Sequence, residues 1–336
     1  MQDRGEDPIG SWLASRAAAG LTPGGTWWVE APGVLAHGAA GRSAVVPQAE
    51  TAAEPILYDL ASLTKPLCTA LLGVLLEHDG VVGLDAPVAR FVTELDGSPY
   101  ASASLLDLGC HRAGLPPWRP LYLGSNRLEG YLRAIATTPP IESAGACVYS
   151  DLGYIVLGAA LERVAGAPLE RLFRERIAEP LGVPGLGFGA RSAPHTAAPT
   201  EHGNEYERAM AGEQGRRFPW RTEVIRGEVH DVNAYTLGGV AGHAGLFGAA
   251  GDVAAIAREI LAPQVLDLGE KARGRLLLPS YPGRDRTFGF VLAGGSEAAC
   301  GVLPHDAPGH TGFTGTSLWL DPGRGAIHVL LTNRVH

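Results

Sequence analysis

The segment Ile56-Leu57-Tyr58-Asp59-Leu60-Ala61-Ser62-Leu63-Thr64-Lys65-Pro66-Leu67-Cys68-Thr69-Ala70-Leu71-Leu72 joins a short apolar lead-in to a longer apolar run reaching Gly80. Between them stand a serine and a lysine three residues apart. Serine is a preferred helix N-cap, so the pattern predicts a helix with Ser62 at its mouth. Residues three apart on a helix are surface neighbours, which sets the Lys65 amine beside the Ser62 hydroxyl. Pro66 is compatible with this placement, because first-turn N–H groups have no intrahelical partner to lose. A hydroxyl alone is a weak nucleophile, and an adjacent amine can take or relay its proton. The helix start also offers backbone N–H groups and a positive dipole end to an oxyanion. The plain alternative is a capped helix with a surface lysine. The chain has only two lysines, Lys65 and Lys271, so a chance Ser-x-x-Lys spacing is expected only about 0.1 times.

The 336 residues suffice for one large unit or two interwoven ones, with ample apolar material for a core. The net charge of −8, without any Lys/Arg cluster, argues against nucleic acid or an anionic membrane as partner. No run approaches the roughly 18 apolar residues of a membrane span. Asp3, Arg4 and Glu6 precede any apolar stretch, so the start does not read as a secretory signal. As written the chain is expected in the cytosol, although a removed leader to the periplasm would leave no trace. Cys68, Cys110, Cys147 and Cys300 are scattered without a C-x-x-C, which predicts free thiols.

Working outward, Pro8 to Arg16 reads as a helix ended by Gly20, and Thr26–Glu30 and Gly33–Ala40 as strands joined by a tight turn. Ser102–Leu108, Leu128–Ala136, Asp151–Val164 and Pro168–Ala178 read as helices, as does a segment capped by Asp252 and running to Leu261. Leu84–Val88 suggests a short helix start. Thr287–Ala293, Thr316–Leu320 and Ala326–Thr332 alternate like strands, the last two joined by Asp321-Pro322-Gly323-Arg324-Gly325. Residues 183–235 show little periodicity, and a loop region that long is usually functional or disordered. Strands at both ends with helices between predict an α+β fold. Its antiparallel sheet is built from both chain ends (1–80 and 236–336) and flanked by helices. Residues 81–235 form a mainly helical insertion within one overall unit.

Two further clusters carry chemistry. Tyr149 stands just before a helix that Ser150 or Asp151 can cap; a phenol acts as a base near neutral pH only beside a cation such as Lys65. Taken alone, Tyr149 reads more simply as a packed aromatic. Pro308-Gly309-His310-Thr311-Gly312-Phe313-Thr314-Gly315 precedes a strand, where Gly312 would let a substrate backbone approach the strand edge. Taken alone, this is an ordinary glycine-rich turn.

Taken together and in order, Ser62-x-x-Lys65, Tyr149-Ser150-Asp151 and His310-Thr311-Gly312 resemble the S-x-x-K, Y-x-N and K/H-T-G elements of the penicillin-recognising serine hydrolases. The tyrosine resembles class C β-lactamases, D-alanyl-D-alanine peptidases and family VIII carboxylesterases. The segments Leu108 to Pro116 and Val240 to Phe247 are similar to further stretches of these families. The ending from Gly309, with Gly227 to Ala234, looks most like a subgroup containing muropeptide amidases and peptidases. The resemblance implies an acyl-enzyme on Ser62, with Lys65 and Tyr149 as the base and Ser62 and Phe313 backbone N–H groups as the oxyanion hole. It gives His310 a role in polarising the tyrosine or binding an acidic group. Asp151, Thr311, Gly312, His230 and His243 are the expected substrate contacts. Asp151 replaces the usual asparagine and His310 the lysine common in β-lactamases, and both changes argue against an efficient β-lactamase. His230, Asp231, His243, His305, Asp306 and His310 match no zinc spacing, so neither metal nor other cofactor is expected. The expected substrate is a small molecule or muropeptide, with amide or peptide cleavage on a peptidoglycan fragment. The alternatives are a carboxylesterase, a β-lactamase, or a sensor that is acylated without turnover.

Overall fold

Both ends of the chain supply the central sheet. The computed structural model describes residues 7–141, 146–190, 193–295, 298 and 301–336. Strands β1 (Gly24–Ala31), β2 (Val34–Ala44) and β3 (Glu50–Thr51) come from the first part. Short strands β4 (Tyr58–Asp59), β5 (Gly187–Phe188) and β6 (Leu246–Gly248) form a separate small sheet in the order β4-β6-β5. Strands β7 (Val291–Leu292), β8 (Pro308–Thr311), β9 (Thr316–Asp321) and β10 (Ala326–Thr332) complete the main sheet. Its order, among the described residues, is β3-β2-β1-β10-β9-β8-β7, with antiparallel neighbours. The first and last long strands therefore lie side by side, with Trp27 opposite Leu330.

Period-two alternation decides which face is covered. Ile327, Val329 and Leu331 of β10 are buried with Leu318 and Leu320 of β9 in the main core, while the alternate residue Trp319 joins a small cluster with Val291, Ala293 and Ala307 on the opposite face. The helices are α1 (Pro8–Ala18), α2 (Leu71–His78), α3 (Leu105–Gly109), α4 (Leu128–Ala136), α5 (Asp151–Ala165), α6 (Leu169–Phe173), α7 (Glu205–Ala211), α8 (Val232–Thr236), α9 (Ala250–Leu261) and α10 (Glu270–Leu277). Helix α9 packs on β1, β9 and β10, and α1 on β1 and β2. Helix α2 is buried from Leu71 to Leu76, the property of a helix enclosed by protein on all sides. No single helix among the described residues is long and apolar enough to cross a membrane.

The α+β architecture, with an antiparallel sheet from both ends and flanking helices, is the one expected. Several local expectations are corrected. The stretch from Thr287 to Ala293 is a strand only at Val291–Leu292, because Gly289 at φ +112° turns the chain and Thr287 N–H bonds Phe290 O. Asp252 caps α9 from within its first turn rather than from the N-cap position, accepting from Ala249 N at 3.3 Å. Leu84–Ala86 forms a turn, Pro87 is extended, and a short 3₁₀ helix begins at Val88 and runs to Arg90. The helix expected over Pro168–Ala178 widens into a π turn from Arg174. Cys68, Cys110 and Cys147 are free thiols, and Cys300 lies outside the described residues.

Candidate active site

Ser62 does not cap a helix. It lies inside a 3₁₀ turn, Ala61–Leu63, that runs into a π turn at Lys65–Ala70 before α2 begins. Ala61 has φ +48°, a left-handed conformation that costs a non-glycine residue about 1–3 kcal/mol. Asp59 Oδ1 holds that strained residue by accepting from Ala61 N at 2.9 Å. Freed from capping, the Ser62 hydroxyl accepts from Lys65 Nζ at 3.0 Å and from the Tyr149 hydroxyl at 2.7 Å.

Each partner has its own anchor. Ser150 caps α5 through its Oγ, which accepts from Gly153 N at 3.2 Å and donates to Pro116 O at 2.6 Å; this fixes Tyr149 just ahead of the helix. Asp151, the first residue of α5, places Oδ1 2.7 Å from Lys65 Nζ. The contact is a charge pair rather than an aligned hydrogen bond. Gly242 presses on α5 so closely that a Cβ there would lie 2.1 Å from Tyr154 O. Thr69 Oγ1 donates to Gly242 O at 2.7 Å, and the next carbonyl, His243 O, accepts from Lys65 Nζ at 3.1 Å.

The lysine is wholly buried yet charged. Burial disfavours the ammonium, but the charge of Asp151, aided by Tyr149, outweighs it and raises the Lys65 pKa above its ordinary value. Burial also raises the Tyr149 phenol, against the pull of Lys65. The resting site therefore pairs a lysine cation with a carboxylate and a neutral phenol, all converging on one hydroxyl.

His310, expected to polarise the tyrosine or bind an acidic group, is held neutral. Burial, followed by the charges of Lys65 and Arg286, pushes its pKa down to about 3. Its Nδ1 lies 2.8 Å from Thr311 O, so Nδ1 carries the proton and Nε2 the lone pair. Its ring centroid is 5.9 Å from that of Tyr149. Thr311 is exposed, and β7 pairs β8 no further than Gly309, so the edge beyond it is open. A Cβ at Gly312 would meet Thr316 Oγ1 at 2.1 Å and Leu60 O at 2.7 Å, so the glycine also accommodates the protein's own chain. The Phe313 N–H has no hydrogen-bond partner among the described residues, and Ser62 sits in a first turn where N–H groups lack intrahelical acceptors.

His230 and His243 line the pocket beside Ser62 together with Asp59, Asp151 and Phe313. His230 stacks on Phe313 at 5.4 Å and pairs with Glu201 at 2.7 Å. His243 Nε2 pairs with Asp231 Oδ1 at 2.9 Å. Against the effect of burial, that charge holds the Asp231 carboxyl down at about 2. Among the described residues no three potential ligands gather in a metal-holding group.

Sequence reasoning did not assign roles to His111, Glu207 or Arg286. His111, at φ +58°, accepts from Ser150 N through Nδ1 at 3.0 Å and lies 4.6 Å from the Tyr149 ring. Arg286 is buried with its guanidinium 5.8 Å from the Tyr149 ring centroid. Glu207 sits on α7, within a region of weak periodicity, so only the topology reveals that it faces the pocket.

A "Putative D-alanyl-D-alanine carboxypeptidase" of Escherichia coli (strain K12) is 31% identical over 326 residues, covering 88% of this chain and 73% of that protein. A protein of the same description from Salmonella agona (strain SL483) is 30% identical over 313 residues, covering 83% and 70%. Among solved structures, EstCE1, "a hydrolase with promiscuous acyltransferase activity", shares the fold at TM-score 0.75 and 21% identity, over 96% of this chain and 92% of that one. A class C β-lactamase from Rhodobacter sphaeroides does so at TM-score 0.74 and 19% identity, over 97% and 93%. The family model described as "Beta-lactamase" matches residues 12–336, and the chain belongs to that family.

Proposed function

We propose that the protein is a serine hydrolase that cleaves an amide or peptide bond of a peptidoglycan fragment through an acyl-enzyme on Ser62. The observation that carries this reading is the convergence of Lys65 Nζ and the Tyr149 hydroxyl on Ser62 Oγ at 3.0 and 2.7 Å. Ser62 Oγ attacks the carbonyl carbon while its oxygen gathers charge opposite the Ser62 and Phe313 N–H groups. Lys65 rests as a cation, so the active form is the Lys65–Tyr149 pair that has lost one proton to solvent, and its Lys65 amine takes the serine proton. Tyr149 gives its phenolic proton to the departing nitrogen and recovers one through Lys65. Water repeats the sequence in reverse to release the acyl group. His310, neutral and with a free Nε2 lone pair, acts as an acceptor near the phenol rather than as a cation for a substrate carboxylate. The named relatives support the peptidoglycan substrate.

A second reading, hydrolysis of small acyl esters, is favoured by the neutrality of His310, which leaves that position without the charge a terminal carboxylate seeks. The two separate by mass spectrometry of a purified N-acetylmuramyl-peptide incubated with wild type and with Ser62→Ala. Cleavage by wild type alone supports the peptidoglycan reading, and the fragment masses tell amidase from carboxypeptidase. No cleavage by either, with Ser62-dependent turnover of short acyl esters, replaces it with the esterase.

A further inference from the structure

The pocket beside Ser62 has four carboxylates in its lining, Asp59, Asp151, Glu207 and Asp231, and among the described residues no lysine or arginine joins them. Three of the four are already committed. Asp151 pairs with Lys65 and Asp231 with His243. Asp59 accepts from the backbone N–H groups of Ala61 and His230 at 2.9 and 2.7 Å. Glu207 is different. It is 5% exposed, its Oε1 accepts from Val232 N at 2.7 Å, and its Oε2 is buried without a hydrogen-bond partner. The Tyr122 hydroxyl is a neighbour but is likewise out of hydrogen-bond geometry. The nearby Arg221 guanidinium is turned away, donating to Asn204 Oδ1, Val229 O and His230 O. Burial, and then the charge of Asp231, hold the Glu207 carboxyl well above the ordinary carboxylate range. A buried acceptor left in this condition is costly unless a ligand completes it.

The position of the pocket says which part of a substrate would enter. Its lining includes Ser62 and Phe313 but neither Tyr149 nor His310. It therefore lies away from the phenol that protonates the leaving group, on the side where the acyl portion remains. Trp118, Met210 and Phe313 add apolar surface suited to a methylene stem.

We propose that this pocket receives an acyl group whose stem ends in a primary ammonium, with Glu207 Oε2 as the acceptor. An ammonium offers three donors and the missing counter-charge, which a neutral chain of equal length does not. The inference rests on Ser62 being the nucleophile.

The test compares p-nitrophenyl esters of ω-amino acids, with the amine two to six carbons from the carbonyl, against the esters of unsubstituted fatty acids of equal length. The readout is the ratio of kcat/KM, amino over neutral, in wild type and in Glu207→Gln. The amide keeps an oxygen for Val232 N. At one chain length or more, wild type is expected to favour the amino ester at least about tenfold, as a charge-assisted hydrogen bond implies. In Glu207→Gln that ratio should fall to near one. A wild-type ratio near or below one at every length overturns the proposal, whether or not the variant folds. A preference that survives Glu207→Gln removes Glu207 from the role and overturns it too. Absence of Ser62-dependent turnover with both series contradicts the hydrolase reading itself, and so is told apart from failure of the pocket assignment.

Discussion

On one side of Ser62 stand Tyr149, His111, His310 and Arg286; on the other stand Asp151, Glu207, Asp231 and the paired histidines His230 and His243. The first side is crowded with groups that become cationic, and Lys65 lies beside them. Burial and the charges of Lys65 and Arg286 keep both His111 and His310 neutral there. The second side is rich in carboxylates, and its histidines each face an acid at 2.7 or 2.9 Å. Lys65 is the hinge between them, hydrogen-bonded to Ser62 and charge-paired with Asp151. The difference teaches that a serine flanked by one lysine can face two electrostatic environments, one suited to moving protons and one suited to holding a cation.

The largest effects test the proton-moving side. Lys65→Met and Tyr149→Phe should each lower kcat by about a thousandfold or more, and the double variant should be scarcely worse than either, because residues acting as a unit are not additive. Independent, multiplying losses would break that picture. Asp151→Asn tests the junction of the two sides. Removing the counter-charge takes away the main opposition to burial, so the Lys65 pKa falls. The acidic limb of the kcat/KM profile should move to lower pH. An unmoved limb would show that Asp151 does not set the lysine's charge.

Smaller effects concern stability. His310 has a folded-state pKa of about 3 against an ordinary value of about 6.5. The unfolded chain therefore binds its proton first. The stabilising contribution of the neutral ring is present above about pH 6.5 and is lost as the pH falls toward 3. Chemical denaturation of wild type and His310→Gln should give stability curves whose difference has a slope of at most about 1.4 kcal/mol per pH unit in that window. A flat difference would mean the ring is not neutral by burial. Ser150→Ala, which removes the cap of α5, should cost about 1 kcal/mol, with a matching drop in denaturation midpoint.

Legibility in the sequence follows the same division. Helix α4 and strand β10 occupy the spans their periodicity predicted, Leu128–Ala136 and Ala326–Thr332. On the proton-moving side Ser62 and Lys65 were readable as neighbours on one turn, and Tyr149 and His310 through the resemblance, while His111 and Arg286 were not. Of the carboxylate side, Asp151, His230 and His243 were expected from the resemblance, and the other acids were not. Glu201, Glu207 and Asp231 come from the weakly periodic stretch before Tyr235, where a charged residue reads as solvated until the topology folds it against β4 and the Ser62 turn. The N-cap reading of Ser62 failed for a local reason: Ala61 takes a left-handed backbone and Asp59 holds it, which turns the hydroxyl from helix capping toward Lys65 and Tyr149. Strand alternation gives the face of Gly312 but not its neighbours, Leu60 O and Thr316 Oγ1.

The most direct test of the central claim is the mass of the intact protein quenched during turnover of a short-chain p-nitrophenyl ester, followed by peptide mapping. The account predicts a mass gain of one acyl group, mapped to Ser62, that decays as product accumulates and is absent in Ser62→Ala. Turnover that proceeds equally in Ser62→Ala, or an acyl group mapped to another residue, would contradict it.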